Sequence, residues 1–212
     1  MIAAAAGLVL AAGEGRRFGQ PKAVVEVEGE RLVDRAVRLL ADGGCHPVIV
    51  VDGAVRLEAM ESAVSAPSAP SAEPTQPSRR LDVPTVRVVH NPRWPDGMGT
   101  SLHVGLDALR GADVGAVVVA LVDQPWLSPE AVRRLRAARD GGAFVAVPIY
   151  GGQRGNPVLL GREVWDDVLE LAKGDVGARA YMKAHPELVT AVPCDGIGSP
   201  DDIDYPDDLT FR

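Results

Sequence analysis

The chain has 212 residues, 46% hydrophobic and 24% charged, with 22 basic against 29 acidic side chains. That length fits one domain over residues 1–212, with apolar residues enough for a core that needs no disulfide staples. The net charge of −7 excludes a general nucleic-acid coat protein, which needs a basic face. The longest apolar run, residues 2–12, is too short to cross a bilayer and lacks the basic start of a signal peptide. Cys45 and Cys194 stand far apart without metal-type spacing, so the expectation is a cytoplasmic protein with reduced thiols.

Residues 2–12 read as a strand buried on both faces and closed by Gly13. A loop of glycines and cations runs from Gly13 to Lys22. Leu32, Val33, Ala36, Val37, Leu39 and Leu40 make a helical stripe over 31–41, which Gly43 and Gly44 stop. Residues 47–52 read as a second buried strand, completing a βαβ unit. Eleven of the fourteen residues 65–78 are Ala, Pro or Ser, a composition that packs no core and predicts a mobile surface insertion. Strand-like sequence resumes at 85–90, so this insertion is not a domain boundary. Residues 104–109 look helical, 115–122 form a third apolar strand leading to Asp123, and Ser128 caps a basic helix over 129–139. A strand over 143–149, a helical region marked by Leu159, Val164, Val168 and Leu169, and a strand over 189–193 follow. The alternation predicts an α/β three-layer, Rossmann-like fold with a mostly parallel central sheet.

The chemistry concentrates in a few segments. LAAGEGRRFGQPK, residues 10–22, follows the first strand, where open α/β sheets bind ligands. Its glycines let backbone amides approach a polyphosphate, and Arg17 and Lys22 neutralise charge in an otherwise acidic chain. The Gly-x-Gly-x-x-x-Gly spacing also suggests a dinucleotide fingerprint. However, Pro21 opposes a helix running through Gln20, and the expected acidic residue appears only at Asp52. NPRWPDGMGTSL, residues 91–102, leads into a helix at Ser101 and offers either a second ligand site or a loop with an N-cap. Asp123, before Gln124 and Pro125, either points a carboxylate into the ligand crevice, where it suits Mg²⁺, or caps a turn. The acidic run 201–208 is either solvated or a further source of metal ligands. Arg154 and Asn156 in one glycine loop, and Asp175 and Arg179 in another, suit substrate-holding loops and equally suit turns. The four histidines are scattered and read as structural, Trp94 and Trp165 as packing, and Trp126 as a residue bordering a site.

The order of LAAGEGRRFGQPK, NPRWPDGMGTSL, DQP, RGNP, GDVGAR and DIDYPDDL, over residues 10–209, resembles the MobA-like nucleotidyltransferases. The likeness is greatest to their molybdenum cofactor cytidylyltransferase branch. The resemblance implies a nucleotide held by Leu10, Ala11, Ala12, Gly13, Gly15, Arg17 and Lys22, with Gly99 and Ser101 contributing from the second motif. It implies Mg²⁺ on Asp123 and Asp204, with Lys22, Arg17 and Asp123 carrying the catalysis. Leu-Ala-Ala-Gly looks like the cytidylyl form, since relatives handling guanine read Leu-Ala-Gly-Gly. Asn156 stands where that branch has His, and Tyr205 where it has Thr. The implied reaction moves CMP from CTP to the terminal phosphate of molybdopterin and releases pyrophosphate. The implied partners are small molecules, with a passing contact to a cofactor-receiving enzyme. The competing readings are a sister nucleotidyltransferase with another phosphorylated acceptor, an NAD(P)H-dependent oxidoreductase acting on a pigment, and a nucleotide-binding cofactor chaperone.

Overall fold

A computed structural model describes residues 4–57 and 85–209. The expected insertion at 65–78 lies outside the described residues. The strands are β1 (Ala5–Leu10), β2 (Glu26–Val27), β3 (Glu30–Arg31), β4 (Val48–Asp52), β5 (Val86–His90), β6 (Ala116–Leu121), β7 (Val145–Tyr150), β8 (Gln153–Arg154), β9 (Val158–Gly161) and β10 (Val189–Pro193). The helices are α1 (Leu32–Asp42), α2 (Met98–Leu109), α3 (Pro129–Asp140), α4 (Trp165–Leu171) and α5 (Arg179–Ala184).

Eight strands form one sheet in the order β10-β7-β9-β6-β1-β4-β5, with β8 paired to β7, while β2 and β3 make a separate hairpin. β1 pairs in parallel with β4 on one side and β6 on the other. The parallel part of the sheet is buried on both faces, and successive side chains divide the core by their period of two. Ala5 and Val9 of β1 pack with Leu32, Val33 and Leu40 of α1 and Leu135 of α3. Ala6, Leu8 and Leu10 pack with Leu102 and Leu106 of α2, Trp165 of α4 and Tyr181 of α5. A sheet between two helical layers is the three-layer α/β architecture expected, and most of its pairings are parallel.

Three local expectations are corrected. Leu159 belongs not to a helix but to β9, an antiparallel strand inserted between β6 and β7. A short, wholly apolar run has no periodicity that separates a buried strand from a buried helix. α2 begins at Met98, six residues before the stretch that looked helical, because Gly97 at φ 107° is its N-cap. Ser101 therefore lies inside α2 and does not cap it. The β2–β3 hairpin and α5 are too short to carry a sequence period and were not anticipated. Ser128 does cap α3, accepting from the Glu130 N–H at 3.2 Å. Among the described residues, no helix is long and apolar enough to cross a membrane.

Candidate active site

The chain leaves β1 toward α1 on one face and returns to β6 through α2 on the other. The crevice at the carboxyl ends of β1 and β6 is thus the place where an open α/β sheet takes a ligand. A cleft of about 510 Å³ opens there. Its floor comes from the ends of β1 and β6, and its walls from the first glycine loop, the 94–101 segment, Asp175 and Asp204.

The first loop is shaped by its own backbone. The N–H groups of Phe18 and Gly19 both donate to the Gly15 carbonyl at 2.9 Å, and Phe18 buries its ring in the core as an anchor. Gly15 has φ +66°, and a Cβ there would lie 1.9 Å from the Gln20 carbonyl oxygen, so only glycine closes this turn. Pro21 then starts a single 3-10 turn over Lys22–Val24, in which buried Ala23 fixes the backbone and Lys22 turns back toward the cleft.

Lys22 Nζ donates to Asp123 Oδ2 at 3.0 Å and to Asp204 Oδ1 at 2.8 Å, and Arg17 donates to Asp204 Oδ2 at 2.8 Å. Residues separated by more than a hundred positions thus share one charged centre. Burial alone pulls the Lys22 ammonium pKa down, but the hydrogen bonds and charges of the two carboxylates outweigh it and leave it raised. The hydrogen bond from Lys22 lowers the pKa of Asp204 against partial burial, helped by the Lys22 and Arg17 charges. Asp202 moves the other way, raised first by burial and then by the facing Asp123. The two acidic segments are tied together beneath the carboxylates, where the N–H of fully buried Ile203 donates to the Asp123 carbonyl at 2.8 Å.

Asp208 is a supporting residue that the acidic run had not singled out. Its Oδ2 accepts from the backbone N–H of Asp204 and of Tyr205, both at 2.8 Å. It sets the direction in which Asp204 leaves the backbone. Asp208→Ala is expected to weaken divalent-cation affinity by about tenfold, the lower end of what lost outer-sphere support costs. Asp208→Asn keeps an oxygen acceptor and should restore most of that affinity. Titration of both variants with Mn²⁺ checks this; equal behaviour would remove Asp208 from the site.

On the opposite wall, nearly buried Asn91 donates to Ser101 Oγ at 2.9 Å and to Thr100 Oγ1 at 2.8 Å. Its own oxygen accepts from the Arg93 N–H at 2.9 Å, which fixes the amide orientation. Ser101 lines the cleft with this hydroxyl already positioned. Trp94, expected only to pack, lines the cleft as well, as do Met98, Glu14 and Arg16. Trp126 does not line it and packs against the core instead.

Of the residues singled out from sequence, Leu10, Ala12, Gly13, Gly15, Arg17, Lys22, Ser101, Asp123, Asp175 and Asp204 line the cleft. Ala11 is buried behind it. Gly99 faces the 172–174 segment, and a Cβ there would lie 2.3 Å from the Ala172 carbonyl oxygen, so close approach of two loops accounts for this glycine. Asp175 accepts from the Met98 N–H at 3.3 Å at the start of α2. Arg154, Asn156 and Arg179 are not among the lining residues; Arg154 and Arg179 are exposed, on β8 and α5.

Arg16, Arg17 and Lys22 line the cleft against Glu14, Asp123, Asp175 and Asp204, so charge there is close to balanced. Asp52, the one candidate for a dinucleotide ribose, is buried and engaged elsewhere. Its Oδ2 accepts from the Leu57 N–H at 2.8 Å and its Oδ1 lies 2.7 Å from His90 Nδ1. No histidine lines the cleft. Burial pushes the Cys45 thiol up to about 12 and also raises that of Cys194, so neither is a nucleophile near neutral pH.

The donor set fits a hard divalent cation. Asp123 Oδ1 is buried and has no hydrogen-bond partner among the described residues, and the Asp204 carboxylate lies across Lys22 from it. Among the described residues no cluster of three or more His, Cys, Asp or Glu side chains could cage a metal. Two carboxylates with water and substrate oxygens completing the shell is the pattern Mg²⁺ uses.

Comparison with known proteins bears on the family and the fold. Nicotine blue oxidoreductase of Paenarthrobacter nicotinovorans is 31% identical over 93% of this chain and 91% of its own length. The purine catabolism protein PucB of Bacillus subtilis is 28% identical over 95% of this chain and 92% of its own. Among solved structures, Rv0371c of Mycobacterium tuberculosis superposes with a TM-score of 0.70 at 26% identity, covering 98% of this chain and 96% of that one. The same protein in complex with manganese gives a TM-score of 0.67 at 25% identity, with the same coverage. None of these relatives is named for the molybdenum cofactor branch. Residues 7–189 match the MobA-like NTP transferase domain, a span that takes in the glycine loop, Lys22 and Asp123, and the chain belongs to that family.

Proposed function

We propose that this protein is a divalent-cation-dependent nucleotidyltransferase that joins a nucleoside monophosphate from an NTP to a phosphorylated small molecule and releases pyrophosphate. The observation that carries this reading is Lys22 held between Asp123 and Asp204 at the mouth of the glycine loop, with Asp123 Oδ1 buried and without a partner among the described residues. A cleft of nearly balanced charge has little attraction for a polyanion by itself, and an NTP entering with its cation meets both needs. Crystallisation of the related Rv0371c with manganese supports a divalent cation here.

In this reading Gly13 and Gly15 let loop amides approach the phosphates, while Lys22 and Arg17 take charge on their oxygens. Asp123 and Asp204 would hold the cation, which when bound neutralises charge on the α-phosphate and on departing pyrophosphate. An oxygen of the acceptor phosphate attacks the α-phosphorus, the bond to the β-phosphate oxygen breaks, and pyrophosphate leaves. A phosphate monoester with a second pKa of about 6 is already largely ionised at pH 7, so a cleft without histidine lacks nothing for this step.

The finer reading takes cytosine as the base, from Leu10-Ala11-Ala12-Gly13, and molybdopterin as the acceptor. The family match supports the broader reading, in which another phosphorylated acceptor takes its place. The second reading, hydride transfer from NAD(P)H, is favoured by the full-length likeness to nicotine blue oxidoreductase. It leaves the Lys22–Asp123–Asp204 centre without a task, and Asp52 is not free to hold a ribose.

Thermal stabilisation by CTP, GTP, ATP, UTP and NADPH, with and without Mg²⁺, separates these readings. A ligand at a hundred times its Kd adds about 2.7 kcal/mol to the folded state. The expected result is stabilisation by an NTP only with Mg²⁺, CTP being the first candidate. Stabilisation by NADPH alone, indifferent to Mg²⁺, would replace transfer by the oxidoreductase reading.

A further inference from the structure

Lys22 is the most deeply placed cation of the cleft, its side chain 14% exposed, and it contacts one oxygen of each carboxylate. Arg17 takes the second oxygen of Asp204. Three of the four carboxylate oxygens are thus satisfied by protein cations, and only Asp123 Oδ1 has no partner among the described residues. The two positive and two negative groups cancel, with Asp202 adding its charge from the flank.

Lys22 therefore stands where a cation shared by Asp123 and Asp204 would stand. Its flexible four-carbon stem can carry the ammonium to another anion, while the Pro21–Ala23 turn holds its backbone in place. Moving the ammonium away with nothing to receive it would leave a partly buried charge unpaired, which is strongly unfavourable. Triphosphate oxygens arriving on the glycine loop supply such a receiver.

Resting on the nucleotidyl-transfer reading, we propose that Lys22 is an internal competitor for the divalent cation. It fills the cation's place in the nucleotide-free protein and yields it only to a bound polyphosphate. Metal and nucleotide load together, and the metal alone binds weakly. The coupling is reciprocal, since whatever factor polyphosphate adds to metal affinity, metal adds to polyphosphate affinity.

The test is Mn²⁺ binding to the whole chain without nucleotide, followed by the electron paramagnetic resonance signal of free Mn²⁺. Lys22→Met is expected to bind Mn²⁺ at least about tenfold more tightly than wild type, within the ordinary range of coupling between two sites. Lys22→Arg, which still places a cation between the carboxylates, should stay nearer wild type. Circular dichroism establishes that each variant is folded. Wild type labelled with ¹⁵N at its lysine ammonium groups gives a readout that needs no variant. Its Lys22 signal should hold still with Mg²⁺ alone and move when tripolyphosphate is added with Mg²⁺. Mn²⁺ binding by nucleotide-free wild type as tight as by Lys22→Met, or a Lys22 signal displaced by Mg²⁺ alone, would overturn the competition. Failure of both proteins to bind Mn²⁺, together with no thermal stabilisation of wild type by any NTP with Mg²⁺, would instead sink the nucleotidyl-transfer reading beneath it.

Discussion

Asp123→Ala is expected to lower pyrophosphate release from an NTP by at least about a hundredfold, the scale on which removing one preorganised charge-stabilising group acts. Asp123 supplies one contact to Lys22, and its Oδ1 is buried without a hydrogen-bond partner among the described residues. Removing it frees Lys22 on one side and, on the proposed reading, would cost a divalent cation one of its two carboxylates. The fold should survive, because the Ile203 N–H is received by the Asp123 backbone carbonyl rather than its side chain. Asp123→Asn is the sharper variant, since it keeps shape and removes charge. It too should lose most of the rate, and added Mn²⁺ should recover part of it by mass action. Both are read by pyrophosphate release at several metal concentrations, with melting temperature as the control. Turnover near wild type in both variants would remove Asp123 from the reaction.

Gly15→Ala is expected to abolish measurable NTP binding while leaving the sheet intact. Left-handed backbone costs a non-glycine residue about 1–2 kcal/mol by itself. Here the larger effect is collision, since the new Cβ would sit 1.9 Å from the Gln20 carbonyl oxygen and 3.3 Å from the Lys22 backbone nitrogen. Backbone cannot rotate out of the way as a side-chain end can, so the 20–22 segment must shift and take Lys22 from between its carboxylates. Gly13→Ala is the natural control. A Cβ at Gly13 meets nothing within 4 Å, so any loss in that variant reports crowding of the ligand alone. Calorimetric titration of the stabilising nucleotide against both variants measures the difference. Unchanged affinity in Gly15→Ala would mean that the loop does not cradle the phosphates.

Much of the architecture was legible because the signals are local. β1, β4 and β6 are continuous apolar runs, α1 carries a clear stripe, and the Ser128 cap is a short-range hydrogen bond. The glycine loop was legible for the same reason, as glycines and cations stand directly after the first strand. β9 was not, because four apolar residues look alike in a buried strand and a buried helix. The start of α2 was missed because it turns on Gly97, a conformation held against Gly174 from a distant segment.

The candidate site divides in the same way. Sequence by itself determined the α/β class, the loop of residues 10–22 and the residue types able to meet a phosphate, because strand burial, turn chemistry and charge are properties of neighbouring residues. The resemblance had already named Asp123 and Asp204 among the acidic residues, but their convergence on one ammonium group is visible only in three dimensions. Asp52, Asp123 and Asp204 are alike as letters, but Asp52 is locked to His90 and the Leu57 amide while the other two converge on Lys22. Asn91, Trp94 and Asp208 likewise gained their roles from the partners that folding brought to them. Hydrogen bonds and ion pairs reach only a few ångströms, so partners a hundred or more residues apart are chosen by the sheet's topology and not by their spacing along the chain.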